Sequence, residues 1–451
     1  MLMRLPQNSF SLFLVIWSGQ LLSRLGSGIS AFTLGVYLFQ KTSSTSAYSF
    51  LLLCAFLPSV LLAPLGGVIA DRKDRKLMMI LGDIGSSLGI LFTILMLQII
   101  PDRDWPIYLG VAISSIFVAL HSPAFKASVT DLVDEKAYSK ASGLIQLAEA
   151  SRYLLAPVIA AFLIARVSLP TVLVIDVLTF IGAAMTVVFI RKSAIQHIET
   201  VIKAGFSEDL KAGIRYIIGN KIVFHLLCLT TIVTFFAGIL QSLFTPMVLS
   251  FADAATLGNV QSFGASGMLL SSLIIGCRSK TFDPKKVFGF SLFAAGIFYL
   301  LIGVNTNMAL ITLAFFCFLF TLPFVNTSLE ILFRKNISNE LQGRVWSLIS
   351  LVSQVGMLIA FGIAGILTDH LFNPLLTDSG RLADNVGRLI GTGVARGSGF
   401  LIIISGCILL IFALYAKYEG RISIFKRREN KEKGTVFKNQ TAKGSSLPLT
   451  F

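Results

Sequence analysis

Four ionisable residues, Arg24, Glu149, Arg152 and Asp176, stand inside long apolar runs of this sequence, and Asp83 lies near the start of another. A charge held in the middle of a hydrocarbon layer costs about 2.5–3.5 kcal/mol on insertion scales, so each should be paired or wetted. Glu149 and Arg152, spaced i, i+3, share a helix face and are expected to pair locally. Proton coupling needs a carboxylate whose proton affinity is pulled in opposite directions by burial and by a neighbouring cation. Glu149, about eight residues or roughly 12 Å inside its run, fits that need best, with Asp83 as its main rival and Asp176 next. A static role is the alternative for each: a helix-locking pair for Glu149 and Arg152, a fixed cation for Arg24, a packing group for Asp176. Gln20, Gln146 and Gln241 are candidates for orienting a substrate, and serve equally well as helix–helix contacts.

A second concentration of charge is the stretch GVIADRKDRK, 67–76, flanked on both sides by apolar sequence. The chain as a whole carries a formal charge of +15, which alone would suggest a nucleic-acid partner. Composition argues otherwise. The sequence is 55% hydrophobic and only 14% charged, with a mean hydropathy of +0.80, whereas soluble chains are about 25% charged.

The elements that must position these groups are therefore membrane helices. Windows of about 20 apolar residues, enough to cross roughly 30 Å of hydrocarbon, recur twelve times. They lie near 10–39, 48–69, 77–99, 105–120, 141–165 and 169–190, then near 223–251, 260–277, 287–304, 308–333, 345–371 and 389–416. Transmembrane strands need only about 9–11 residues of alternating polarity, and these runs are longer and apolar throughout. The first run has no small-residue cleavage site and reads as an uncleaved helix. An all-α polytopic membrane protein is the expected fold, with twelve transmembrane helices in two six-helix halves.

The basic residues then sort by loop. Of the 38 Lys and Arg, only Lys41, Arg103, Arg166, Arg381, Arg388 and Arg396 fall on one face, and Arg24 and Arg152 lie inside helices; all the others share the opposite face. The positive-inside rule places that face, and both termini, in the cytoplasm, and leaves no nucleic-acid partner. Four units follow: a six-helix half over 1–190, a cytoplasmic segment over 191–222, a second half over 223–416 and a basic, disordered tail over 417–451 that can rest on anionic lipid. The loops TDLVDEKAYSKASGLIQL and FRKNISNELQGRVWSLIS, before the fifth and eleventh runs, are similarly built and support a repeat. The five cysteines fall in or at the ends of apolar runs, where packing is their expected role. The four histidines show no metal-ligand spacing, so no metal and no cofactor is expected. GTGVARGSG, 391–399, puts Arg396 where a dinucleotide fingerprint needs glycine, and there is no Walker A sequence.

With the topology in place, the 67–76 stretch resembles the G-x-x-x-D-R-x-G-R-[RK] loop between the second and third helices of the major facilitator superfamily. Gly67, Asp71, Arg72, Arg75 and Lys76 match it. Asp74 replaces the second glycine, and Asp tolerates a left-handed backbone better than most residues. GQLLSRLGSGISAFTLGVYLF, HSPAFKASVTDLV, IDVLTF, FSEDLKAGIRYI and LQGRVWSL resemble the macrolide-efflux-like, drug:proton antiporter branch, which also holds siderophore exporters. The resemblance implies that Asp71 and Arg75 latch the halves together on the cytoplasmic face, near the start of the eleventh helix. It also implies an antiporter-like packing element in APVIAA, where Ala156, Ala160 and Ala161 stand for glycines and Pro157 kinks the helix.

The expected function is therefore that of a non-enzymatic, monomeric exporter in the bacterial inner membrane. It would move amphipathic organic compounds such as drugs, macrolides, siderophores or secreted peptides outward against protons, through an aromatic, largely apolar pocket between the halves. A nutrient importer or facilitator, or a non-transporting sensor or scaffold on the same fold, is the alternative.

Overall fold

A computed structural model describes residues 9–134, 137–189, 206–277, 283–337, 342–377, 380–393 and 395–415. Twelve helices among them are long and apolar enough to cross a membrane, and the described residues contain no strand. The first half consists of α1 (Ser9–Thr42), α2 (Thr45–Arg72), α3 (Arg75–Ile99), α4 (Trp105–Leu132), α5 (Tyr138–Leu154) continued by α6 (Ala156–Ile164), and α7 (Leu169–Val188). Next comes α8 (Phe206–Gly219), which lies within the central segment; residues 190–205, which take in the start of that segment, and 416–451, which take in the tail, fall outside the described residues. The second half consists of α9 (Lys221–Leu249), α10 (Ala254–Cys277), α11 (Pro284–Val304), α12 (Met308–Asn336) and α13 (Gln342–Leu367). A π-helical turn, Thr368–Phe372, extends α13. The short α14 (Asn373–Leu375) and α15 (Val386–Ile390) lead to the last span, α16 (Arg396–Tyr415).

Local chemistry sets where the helices begin. Asp74 accepts from the backbone N–H groups of Lys76 and Leu77 and so starts α3. Its φ is −59°, so it serves as a cap and not as the left-handed turn residue that its place in the loop suggested. Asn220, Asp283 and Asn307 cap α9, α11 and α12 in the same manner. Such caps satisfy N–H groups that have no partner within the helix.

Three spans depart from the bounds read in the sequence. Helix α4 continues past 120 to Leu132, because its last turns, though less apolar, still pack Phe125, Val129 and Leu132 into the core. The fifth span is split at Leu155, since Pro157 lacks the N–H that a continuous helix would use. The twelfth helix starts at Arg396 and not near 389. Positive φ at Gly391 (+88°), Gly393 (+122°) and Ala395 (+59°) breaks the chain there, where glycine meets least resistance.

Each half builds its own core. Phe13, Met79, Phe125 and Val187 pack together in the first half, and Leu243, Phe244, Tyr299 and Phe318 in the second. Between the halves, α2 lies on α13, with Val60, Leu358 and Phe361 buried together. Helix α10 lies on α5 and α6. A Cβ on Gly258 would come within 2.6 Å of the Pro157 carbonyl oxygen and 3.0 Å of Ala161 Cβ, so small residues on both sides are what permit this contact.

Candidate functional site

The polar residues of the first half converge on one cavity of about 190 Å³. Helix α1 supplies Gln20, Arg24, Ser27 and Ser30, at a spacing that keeps them on one face. Asp83 comes from α3, His121 from α4, Arg152 from α5 and Asp176 from α7, while Tyr48, Leu52 and Phe56 of α2 form an apolar wall. Two glycines bring these helices close enough to share the space. A Cβ on Gly82 would lie 2.5 Å from His121 Cβ, and one on Gly26 would lie 2.9 Å from Asp176 Oδ1. The residue after Gly82 is Asp83, so the close crossing of α3 and α4 sets the carboxylate against the imidazole.

Within the cavity, Asp83 is 2% exposed. Gln20 Nε2 donates to its Oδ2 at 3.2 Å, and its Oδ1 faces His121 Nε2 at 3.6 Å. The Nε2 atom of His121 is buried without a hydrogen-bond partner, and its ring stacks on Phe125. Asp176, also buried, lies within hydrogen-bond reach of the Thr179 hydroxyl.

Glu149 does not pair within its own helix. Its Oε1 is bonded to Arg24 Nη1 at 2.8 Å, because Gly28 lets α1 pack against Arg152 and Ala156 and so brings Arg24 over to α5. Arg152 instead lies near the ring of Tyr153 and within electrostatic reach of Asp176. Of the three glutamines, Gln20 is in the cavity, Gln146 is exposed on α5 and Gln241 is half-buried on α9. Ala156, Pro157, Ala160 and Ala161 are all buried. In the second half, Ser353 and Gly356 occupy places like those of Glu149 and Arg152, and they pack on Thr234 and Thr231 without any charge.

In the 67–76 loop, Gly67 through Arg72 close α2, and the side chains of Asp71 and Arg72 lie outside the described residues. Arg75 Nη1 donates to the Ala127 carbonyl at 3.1 Å and Lys76 Nζ to the Val188 carbonyl at 2.9 Å. Both of these bonds stay within the first half.

At the opposite end of the bundle is a site that the sequence reading passed over. Asp369, in the π turn after α13, takes three hydrogen bonds across the two halves: from Ser44 Oγ at 2.7 Å, Thr45 N at 3.1 Å and Ser46 N at 2.7 Å. Asn373 Nδ2 donates to the same carboxylate at 3.2 Å. Just inside this contact, Tyr48 bonds Thr245 and Ser49 bonds Ser242. Asp369 went unnoticed because it sits near a loop, where an acidic residue is unremarkable, and its partners lie far off in sequence. His121 was missed because a lone histidine in an apolar run carries no motif.

The first half and the start of the second, residues 16–253, match the model of the Major Facilitator Superfamily. The chain belongs to that superfamily. Macrolide efflux protein A of Streptococcus pyogenes is 28% identical over 373 residues, covering 80% of this chain and 90% of that protein. The protein of the same name from Enterococcus faecalis is 28% identical over 319 residues, or 68% of this chain and 96% of that one. Among solved structures, a point mutant of the nucleoside transporter NupG aligns with a TM-score of 0.72 at 12% identity, covering 90% of this chain and 99% of that chain. A bacterial homologue of the lysosomal transporter Spinster aligns at 0.71 and 13%, covering 93% and 98%. These two establish the fold. The superfamily member described here is thus a multi-pass membrane transporter of small molecules and not an enzyme, and it resembles the macrolide-efflux-like branch.

Proposed function

We propose that this transporter exports amphipathic organic compounds, macrolides first among them, in exchange for protons, by alternating access and as a monomer. The observation that carries this reading is the cavity in the first half, where Arg24, Asp83, Arg152 and Asp176 meet inside membrane helices. Ionisable groups at that depth are expensive, and proton exchange is a use that repays the expense. The relatives named for macrolide efflux support export. Glu149, Arg24, Arg152, Asp83 and Asp176 form the coupling set, and Gln20 orients a ligand or a carboxylate beside them.

The positive-inside rule sets the 67–76 loop and both termini in the cytoplasm. On that orientation the Asp369 contact lies at the outer face, where it would serve as the outer gate of an inward-facing state. In the opposite state Asp71 and Arg75 latch the cytoplasmic side, where Arg–carboxylate bonds are of the stronger, charge-assisted kind, and Gly67, Arg72 and Lys76 shape that loop. The small residues Ala156, Pro157, Ala160 and Ala161 let α10 approach as in antiporters.

Uptake of erythromycin into everted membrane vesicles, with and without an imposed proton gradient, tests the reading. Gradient-dependent accumulation is the expected outcome. Accumulation of a sugar or nucleoside without any response to macrolides would favour an importer, and no flux of any compound would favour a scaffold. The apolar wall of the cavity, which includes Leu52 and Phe56, suits an apolar compound better than a sugar.

A further inference from the structure

The ionisable groups around the cavity do not balance. Two guanidiniums, Arg24 and Arg152, face the carboxylates of Asp83, Asp176 and Glu149, the last bonded to Arg24 just outside the lining. With every acid ionised and His121 neutral, one negative charge is left over, in a place where an unpaired charge costs about 2.5–3.5 kcal/mol. Arg24 is bonded to Glu149, and Arg152 lies within electrostatic reach of Asp176. Neither Asp83 nor Asp176 thus has a cation in bonding contact, Arg24 being only within electrostatic reach of Asp83, and of the two it is Asp83 that faces an imidazole.

The atom opposite Asp83 has the complementary deficiency. His121 Nε2 is buried, has no hydrogen-bond partner and sits 3.6 Å from Asp83 Oδ1. One proton placed between these two atoms would remove the excess charge. Carried on Oδ1, it would make Asp83 a neutral acid able to donate an O–H···N bond to His121 Nε2, which has no other partner. Gln20, donating to the other carboxylate oxygen, keeps Oδ1 turned toward the imidazole. The remaining ionisable groups around the pair are Arg24 of α1, Tyr48 of α2, Arg152 of α5 and Asp176 of α7, and none of them offers a buried, unpartnered nitrogen to a carboxylate.

We propose that Asp83 and His121 together hold the exchanged proton, with Gln20 positioning the carboxylate. This rests on the reading of the molecule as a proton antiporter and locates the proton within it. The proton is taken from water when the outer face is open and resides between Asp83 Oδ1 and His121 Nε2. It is released to water at the cytoplasmic end; no other bond is made or broken. Glu149 is less suited to the task, because Arg24 already neutralises it at 2.8 Å and its side chain is 38% exposed.

Infrared titration of the purified full-length protein in lipid, without substrate, tests this directly through the carbonyl stretch of a protonated carboxylic acid. The wild-type protein should show a titrating buried carboxyl band that Asp83→Asn removes and that Glu149→Gln retains with a lower midpoint, because that variant takes away the excess negative charge. His121→Gln should keep the band and move its midpoint, which a merely structural histidine would not do. In the same lipid, Asp83→Asn and His121→Gln should lose erythromycin accumulation driven by a proton gradient while still allowing equilibration down a concentration gradient. Persistence of the band in Asp83→Asn, or an unchanged midpoint in His121→Gln, would overturn the assignment. If wild type shows the band but never accumulates erythromycin, the export reading fails and the proton site stands. Should Asp83→Asn not reach the membrane, the His121→Gln midpoint decides.

Discussion

Arg24 and Glu149 form their ion pair between two helices, and this changes what their removal should do. Replacing Arg24 with Gln leaves Glu149 without its partner inside a membrane span, and replacing Glu149 does the same to Arg24, whose side chain is only 18% exposed. Each single variant should lower the thermal unfolding midpoint in detergent, and the Arg24→Gln, Glu149→Gln double variant should recover most of the loss. Because Glu149 is more than a third exposed, solvent screening should hold the measured coupling to about 1 kcal/mol or less. Strictly additive losses would mean that the bond between α1 and α5 does not form in the folded protein. The types of residue that matter here are plain in the sequence, since a charge in an apolar run stands out. Their partners are not. The i, i+3 spacing of Glu149 and Arg152 offered a local pair, and the close approach permitted by Gly28 brought in a cation from another helix instead. His121 illustrates the same limit, because a lone imidazole gains meaning only when a glycine crossing sets Asp83 against it.

At the scale of the elements, the Asp369 contact is a specific polar link between helix ends of the two halves. A carboxylate from the end of α13 accepts from the first N–H groups of α2, at a helix N-terminus where the backbone dipoles favour negative charge. Under the proposed alternating access, the contact would hold only while the outer face is shut and would break once in each transport cycle. Asp369→Asn keeps the shape and removes the charge. Hydrogen bonds to charged groups are worth about 1.5–3 kcal/mol each, so losing the charge should raise the population of the outward-open form by roughly tenfold. Spin labels at Arg103 and Leu371, both exposed on opposite halves, should then report a longer distance component in a background lacking the five native cysteines. An unchanged distance distribution would show that the apolar packing of α2 on α13 holds the outer face without Asp369. The spans themselves were legible, because apolar runs of bilayer length have few other readings. Their irregularities were less so. The break at Leu155 follows from Pro157, but the start of the last span at Arg396 depends on three residues with positive φ, and a run of small apolar residues does not announce them.

At the scale of the whole molecule, the alternating access proposed above needs an orientation in the bilayer, which decides which face the Asp369 contact serves. The helices alone do not set that orientation, since a bundle of apolar spans fits a membrane either way up. Loop charge sets it. Lysines and arginines crowd one face, where α2 meets α3, α8 precedes α9 and α12 meets α13, while the other face holds Lys41, which is spent on an ion pair with Asp104 at 2.8 Å, and a handful of arginines. Short loops with such a bias stay in the cytoplasm. Reporter fusions after Lys76, Lys211 and Lys431 should therefore report the cytoplasm, and fusions after Arg103 and Asp378 the outside. The Lys211 fusion carries most weight, because α8 joins the halves and an even number of spans must precede it if both halves insert the same way up. An outside signal there would overturn the twelve-span count, because Asp369 and Ser44, which are in contact, must lie on the same face of the membrane.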